Sequence, residues 1–269
     1  MKPVLKLTLL FTALSVVYLS CKKNETTVVK SKTDYAALSG RIAVDLYKSI
    51  TGQYGGANVK NGIKAPVNLT GNKNALSFST FAMSPLCGFT IDTSYNYNQT
   101  ATDTSINYTG NFHFVYTCSA DIPDGYIVRD SITNTYSGAA FNAPYTVAQD
   151  YKVQALDKTY KTVSMNGYNY SSHNYRVLKG QVTLGFDYFY SGFKLLGLIV
   201  DVSGSVPDVV SGTSTFYNFE YNNLPGGPID GVQTATTGTI TFLGNHQAEI
   251  STGGKNYRVN LLTGIVTPL

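Results

Sequence analysis

The sequence predicts a mainly β fold: an antiparallel meander that forms a sandwich or a curved half-barrel, with one N-terminal amphipathic helix. From Ala75 onward, segments of alternating apolar and polar residues are separated by Gly, Pro, Asn and Asp, which is typical of strands joined by turns. No helical pattern separates these segments, so a parallel α/β sheet is not expected. The composition agrees, because the chain has 21 Tyr and 13 Phe, both strand formers, and only 13% of its residues are charged.

The first twenty residues have the features of a secretory signal peptide. Lys2 and Lys6 provide the positive start, and a mainly apolar stretch from Leu7 to Leu19 follows. This stretch is shorter than the roughly 20 residues that a membrane-spanning helix needs, so cleavage is expected. Loss of residues 1–20 would reduce the 20 basic residues to 18 against 16 acidic ones, a net charge of +2. So small an excess does not predict a nucleic-acid partner.

The end of this segment resembles the processing site of bacterial lipoproteins. Ser20-Cys21-Lys22-Lys23 places a small residue directly before a cysteine, and the junction is similar to those of Bacteroidota lipoproteins. The resemblance covers only this N-terminal part. It implies that Cys21 is acylated and anchors the protein to the outer membrane, on its periplasmic face or at the cell surface. Residues 21–33 are polar and charged, and we expect them to be a flexible tether.

A single β-rich domain is expected over residues 34–269, and it begins with the one convincing helix, at 34–51. Thr33 or Asp34 can cap the start of this helix, and Gly52 can end it. Apolar residues recur at helical spacing, which predicts a stripe that packs against the sheet. The members of this stripe are Tyr35, Leu38, Ile42, Leu46 and Ile50.

The strand pattern is clearest in the second half of the chain. Leu195 to Val200 is apolar on both faces, which predicts a central strand covered on both sides. Gly244-Asn245 and Thr252-Gly253-Gly254-Lys255 are short connections between alternating segments, and they predict two hairpins. A helix followed by a long meander is also the order of elements in periplasmic lipoprotein carriers, and this similarity of order implies a half-barrel.

The cysteines predict one disulfide. If Cys21 carries lipid, Cys87 and Cys118 remain, and each lies on the apolar face of an alternating segment. Two inward-facing cysteines in an oxidising compartment favour a buried disulfide. A redox or metal pair would be expected to show a CxxC spacing or a neighbouring His, and both are missing here.

The sequence contains none of the common catalytic motifs. The sequence has no nucleophile elbow, phosphate-binding loop, dinucleotide-binding fingerprint or zinc-protease motif. His113, His173 and His246 have no metal-ligand spacing, so we predict no catalytic residue, no metal and no cofactor. One enzymatic alternative is a glycoside hydrolase, because Asp187 and Glu220 each lie between aromatic residues and two carboxyl groups can hydrolyse a glycosidic bond.

Tyrosine is the one compositional feature that points to binding. Its ring is a rigid apolar face with a polar tip, and Tyr-Asn-Tyr runs pair rings with amides, which suits contact with sugars. Tyrosine is also an ordinary strand former, so the same residues can have a purely structural role. The candidate ligand-binding residues are Tyr95, Tyr97, Tyr168, Tyr170, Tyr188 and Tyr190.

The sequence therefore predicts a non-catalytic, lipid-anchored envelope protein. Its expected role is a binding module for a glycan or a small apolar ligand. One alternative is a structural or accessory subunit that docks on another envelope protein, and the other is the hydrolase with a carboxylate pair. The expected partners are the membrane, through the lipid, and either the ligand or the envelope protein; no nucleic acid is expected.

Overall fold

The structure is a computed structural model that describes residues 33–61, 63, 87–226 and 232–269. The predicted signal peptide, Cys21 and all of the tether but Thr33 lie outside the described residues. The described part contains the helix α1 (Tyr35–Ile50), a short 3₁₀ turn (Val59–Asn61) and eleven strands. The strands are β1 (Thr90–Thr100), β2 (Thr104–Ser119), β3 (Ile122–Gly138), β4 (Phe141–Ala155), β5 (Thr162–Lys179), β6 (Val182–Asp201), β7 (Asp208–Asn223), β8 (Val232–Gly244), β9 (Gln247–Thr252), β10 (Lys255–Asn260) and β11 (Val266–Pro268).

All eleven strands belong to one antiparallel sheet, and their order in the sheet is their order in the sequence. The predicted antiparallel meander with one N-terminal helix is therefore confirmed. Both predicted hairpins near the C-terminus are present, although the first turns one residue later than predicted, because Gly244 still belongs to β8. Asn245 and His246 both have positive φ angles between β8 and β9, and Gly253 and Gly254 do so between β9 and β10. Two consecutive positive φ angles are what a two-residue turn needs to match the twist of its strands.

The sheet curves around α1, because the helix contacts strands that are far apart in the sheet order. Asp45 of the helix accepts hydrogen bonds from Ser171 on β5 and from Tyr145 on β4. On the other side, an ideal Cβ added to Gly40 would lie only 2.9 Å from the carbonyl oxygen of Gly264, just before β11. Only a strongly bent sheet brings β4 and β11 to one helix of 16 residues. Of the two predicted architectures, the structure is thus the open, curved half-barrel.

Local signals set the ends of α1. The side chain of Asp34 caps the start, because its Oδ1 accepts hydrogen bonds from the backbone N–H groups of Ala36 and Ala37, both at 3.1 Å. At the other end, Thr51 is the C-cap, and Gly52 follows with a φ of +72°. A left-handed glycine after the last helical turn is a common way to end a helix. The structure confirms the predicted helix, its N-terminal cap and its C-terminal glycine.

The helix buries two faces. Its predicted apolar stripe packs into the core, where Leu38, Ile42, Leu46 and Ile50 are 0–5% exposed. Each such side chain contributes roughly 2 kcal/mol through burial. A second, polar stripe of Arg41, Asp45 and Ser49 contacts the sheet as well; for example, Asn169 Nδ2 donates to Ser49 Oγ at 2.8 Å. The polar side of this amphipathic helix therefore faces the sheet rather than solvent.

Cys87 and Cys118 lie at disulfide distance, with their sulfur atoms 2.09 Å apart. The local structure differs from the prediction. Cys87 precedes β1, which begins at Thr90, and the register of β2 with β3 shifts between Thr117 and Cys118. Because the alternation breaks at both places, the two cysteines are half-buried rather than buried. The pair joins the start of β1 to the end of β2.

The end of β6 is covered on one side only, which corrects the prediction of a strand buried on both faces. Leu195, Leu198 and Val200 are at most 1% exposed, whereas Leu196 is 40% exposed. The register of β6 with β7 shifts between residues 196 and 200, and Gly197 has a φ of +58°. This irregularity moves one residue out of the alternation, so a continuous apolar run in the sequence does not require two covered faces.

Candidate functional site

Four of the six candidate tyrosines come together on the outward face of the sheet, the face that points away from α1. Tyr168 and Tyr170 lie on β5, and Tyr188 and Tyr190 lie on the neighbouring β6. Their positions alternate with buried residues that face the helix, such as Phe189 at 3% exposure. Because successive side chains of a strand point to opposite faces, the tyrosines are directed to solvent.

Four further aromatic residues extend this surface. Phe186 lies on β6, and Tyr217, Phe219 and Tyr221 occupy alternate positions of β7. The register places Tyr190 opposite Phe219 and Tyr188 opposite Tyr221. We call the eight residues the aromatic strip: Tyr168, Tyr170, Phe186, Tyr188, Tyr190, Tyr217, Phe219 and Tyr221.

The rings of the aromatic strip are packed against one another in pairs. Tyr168 and Tyr170 are nearly parallel, with ring centroids 6.3 Å apart and an angle of 10° between the planes. Phe186 and Tyr221 meet edge to face, with centroids 4.9 Å apart. Tilted pairs connect β6 to β7 between these ends. Such contacts restrict the rings, so less conformational entropy remains to be lost when a ligand binds.

Gly192 lies in the middle of the aromatic strip, opposite Tyr170 on one side and Tyr217 on the other. A Cβ atom at this position would be 3.3 Å from Cδ1 of Tyr170 and 3.4 Å from the hydroxyl oxygen of Tyr190. The ring of Tyr170 and the tip of Tyr190 therefore approach the bare backbone of Gly192. A larger residue here would push both rings away from the sheet.

The hydroxyl groups of the aromatic strip lie near one another. Partial burial raises the pKa of Tyr190, and the neighbouring Tyr170, Tyr188 and Tyr217 raise it further. Tyr168, Tyr170 and Tyr217 are nevertheless 43%, 38% and 45% exposed. The surface therefore offers apolar ring faces together with neutral hydroxyl groups that can both donate and accept hydrogen bonds.

Tyr95 and Tyr97 are not part of this surface. Both lie on β1, where they pair with Gly110 and Tyr108 of β2, four positions in the sheet order away from β5. Tyr97 is 46% exposed, and its hydroxyl donates to Gln99 Oε1 at 3.3 Å. The six candidates thus belong to two separate regions, and only the four on β5 and β6 lie together.

Asp187 and Glu220, the carboxylates of the hydrolase alternative, lie on the opposite face, where α1 packs. Arg41 binds both: its Nη2 is 3.5 Å from Asp187 Oδ2, and its Nη1 is 3.3 Å from Glu220 Oε1. The same guanidinium lies 3.7 Å above the ring of Phe189. Burial raises the pKa of Glu220; Arg41 lowers that pKa, and Asp187 raises it.

This arrangement is an ion pair that fixes α1 to β6 and β7, and it does not suit glycoside hydrolysis. Hydrolysis needs an acid and a base on either side of a space for the substrate. Here the guanidinium of Arg41 lies between the two carboxylates and contacts both. The sequence-predicted pair is close in space, but the cation that joins the two groups occupies the place of a substrate.

Two other carboxyl groups are buried where α1 and the loop after it contact the sheet. Burial raises the pKa of Asp45, and hydrogen bonds from Ser171 and Tyr145 oppose this rise. Burial also raises the pKa of Asp130 on β3 to about 7, against a hydrogen bond of 3.0 Å from the backbone N–H of Ala57. Both carboxyl groups hold parts of the fold together, since Asp45 joins α1 to β4 and β5, and Asp130 anchors the loop after α1.

The histidines are dispersed. His113 pairs with Asp92 on the outward face, His173 lies on β5 near the helix, and His246 forms part of the turn between β8 and β9. Within the described residues, no group of three or more His, Cys, Asp or Glu side chains is placed to hold a metal ion. Across those same residues, no helix combines the length and the apolar character needed to cross a membrane.

The chain was compared with models of protein families, with curated proteins and with solved structures, and it matches none of them.

Proposed function

We propose that this protein is a lipid-anchored protein of the bacterial envelope that binds a polysaccharide on the outward aromatic strip. The observation that carries the proposal is the aromatic strip itself: eight aromatic residues on three adjacent strands, on the face away from the helix. Solvent-facing sheet positions are usually polar, and a contiguous exposed aromatic surface marks an interaction site.

Sugar rings fit the chemistry of this surface. Each has an apolar C–H face that can lie on an aromatic ring, and hydroxyl groups at its edges that can bond to the tyrosine tips. Ser172 and Asn174, which pair with Tyr190 and Tyr188, add polar groups within the same rows. Six of the eight rings of the aromatic strip carry a hydroxyl group, which favours a hydroxyl-rich ligand over an apolar one.

The inner face of the half-barrel gives no support to a small apolar ligand. The apolar stripe of α1 is packed against the inward residues of the sheet, including Met165, Phe193 and Ile250, which are at most 1% exposed. Within the described residues the helix thus takes the position that such a ligand would need. The polysaccharide is the occupant that we propose, and it lies on the other face.

The membrane anchor in the proposal rests on the lipoprotein-like junction at Cys21. Metabolic labelling of the producing cells with a radioactive fatty acid tests it, because an acylated protein retains the label after denaturing electrophoresis. Substitution of Cys21→Ser should abolish the label. Label that persists in this variant would contradict the anchor.

Matched tyrosine substitutions test the binding site. Tyr217→Thr removes an exposed ring from the aromatic strip, and Tyr97→Thr removes an equally exposed ring from β1. Threonine keeps the preference for strand structure. Loss of one stacking ring, at about 0.5–1.5 kcal/mol, should weaken binding roughly two- to tenfold. The measurement is retardation of the purified full-length protein in native gels that contain soluble polysaccharide.

We expect Tyr217→Thr to reduce the retardation and Tyr97→Thr to leave it unchanged. Equal losses in the two variants, or no retardation of the unsubstituted protein by any polysaccharide, would refute the proposed function. Capture of another envelope protein by Tyr217-dependent contacts, with no polysaccharide bound, would instead favour the docking alternative.

A further inference from the structure

The aromatic strip is long and narrow. Its longest axis follows β6 from Phe186 to Lys194, where Lys194 pairs with Tyr168 of β5. These eight steps along the strand span roughly 26 Å at the usual rise per residue. Three strands at their usual spacing give a width of only about 10 Å. A surface of this shape fits an extended chain that lies parallel to β6.

Each end of the aromatic strip carries an exposed cation. Arg176 of β5 pairs with Phe186 at one end, and Lys194 of β6 pairs with Tyr168 at the other. Arg176 Nε donates to Asn174 Oδ1 at 3.3 Å, a neutral partner. Within the described part of the chain, neither cation forms an ion pair. Two positive charges are thus left for a partner about 26 Å apart.

The surface between these cations is free of opposing charge. Of the carboxylates near the aromatic strip, Asp187 and Glu220 lie on the opposite face and are bound to Arg41. Asp150 of β4, which pairs with Tyr168 at one end, is bound to Arg129. In the rows between the two ends, the outward positions of β5, β6 and β7 hold only aromatic residues, Gly192, Ser172 and Asn174. The electrostatic potential along the aromatic strip is therefore positive at both ends and is not offset in between.

We infer that the ligand is a linear polysaccharide with negatively charged groups, lying lengthwise on β6 between Arg176 and Lys194. This inference rests on the proposed function, because the aromatic strip must first bind a glycan. The rings would hold the sugar faces, and the two cations would bind carboxylate or sulfate groups on the same chain. Charge at both ends would also align the chain with β6.

Two soluble polymers with the same glucan backbone test the inference. Carboxymethyl cellulose carries carboxylates, and hydroxyethyl cellulose is neutral. Retardation of the full-length protein should be stronger with the carboxymethyl polymer, and added salt should weaken this difference. Arg176→Gln and Lys194→Gln should each reduce affinity for the charged polymer about threefold, with losses that multiply in the double variant.

The control variant is Lys255→Gln, which removes an exposed charge from β10, far from the aromatic strip in the sheet order. It should bind both polymers like the unsubstituted protein, and neither end substitution should change binding to the neutral polymer. Equal binding of the two polymers, or equal losses in all three variants, would overturn the inference and leave the proposed function standing. Failure to bind either polymer, together with no retardation by any other polysaccharide, would overturn both.

Discussion

Asp130 makes the stability of this protein depend on pH, and replacement of its carboxyl group by an amide should remove that dependence. Asp130 is 7% exposed, and burial raises its pKa from 3.8 to about 7. Its Oδ2 accepts the backbone N–H of Ala57 at 3.0 Å, and Gln149 Oε1 accepts the same N–H at 2.8 Å. Asp130→Asn keeps an oxygen that can accept this bond and removes the negative charge.

The magnitude follows from the difference in pKa between the folded and unfolded chains. Because the folded pKa is the higher one, the folded state favours the protonated group. The stabilisation by protonated Asp130 therefore has its full value below about pH 4, and it is lost as the pH rises through 7. Three pKa units correspond to about 4 kcal/mol over the full range, and about 3 kcal/mol of this is lost between pH 5 and pH 8.

Urea unfolding at pH 5 and pH 8 measures this effect. Asp45 is also buried with a raised pKa, but it is present in both proteins and cancels in the comparison. Between pH 5 and pH 8, the free energy of unfolding of Asp130→Asn should fall by about 3 kcal/mol less than that of the unsubstituted protein. Asp103→Asn, at an exposed position, is the control and should behave like the unsubstituted protein. Parallel pH profiles for Asp130→Asn and the unsubstituted protein would show that Asp130 does not cause the pH dependence.

Three further predictions concern the fold. Gly40→Ala should reduce the free energy of unfolding by about 1–3 kcal/mol, because the new methyl group would lie 2.9 Å from the carbonyl oxygen of Gly264. The midpoint of thermal unfolding should fall accordingly. A rise in the midpoint would show that the higher helix propensity of alanine dominates. Asp34→Ala removes the helix cap and should lower the free energy of unfolding in urea by about 1 kcal/mol. An unchanged unfolding curve would contradict the role of the cap. Reduction of Cys87–Cys118, whose cysteines are 31 positions apart in the sequence, should lower the free energy of unfolding by roughly 3–4 kcal/mol, and identical unfolding with and without reductant would be inconsistent with the cross-link.

Short-range patterns predict the elements of this fold well. Asp34 and Gly52 mark the ends of α1, because capping and the left-handed stop are local interactions. Alternation and turn residues predict the antiparallel meander for the same reason. The choice between sandwich and half-barrel depends on the curvature of the sheet. Bulges such as the one at Gly167, with a φ of +141°, add to this curvature, and alternation alone does not reveal them.

The candidate site is only half predictable from the sequence. The Tyr-Asn-Tyr run identifies Tyr168 and Tyr170. Alternation does not tell which face of β7 points outward, so the sequence does not identify Tyr217 and its neighbours as part of the surface. Their signal is present, since aromatic residues occupy alternate positions from 217 to 221. The ion pairs of Arg41 join residues 146 and 179 positions apart, and no local pattern predicts contacts at such separations.

Hydroxyl-radical footprinting with carboxymethyl cellulose tests whether the aromatic strip binds a polysaccharide, because it reports which rings a bound polymer covers. We expect oxidation of Tyr168, Tyr170 and Tyr217 to fall when the polymer is bound, whereas oxidation of the equally exposed Tyr97 should not change. Protection of Tyr97 with no protection of the other three, or no protection of any ring at saturating polymer, would contradict the assignment of the aromatic strip as the binding surface.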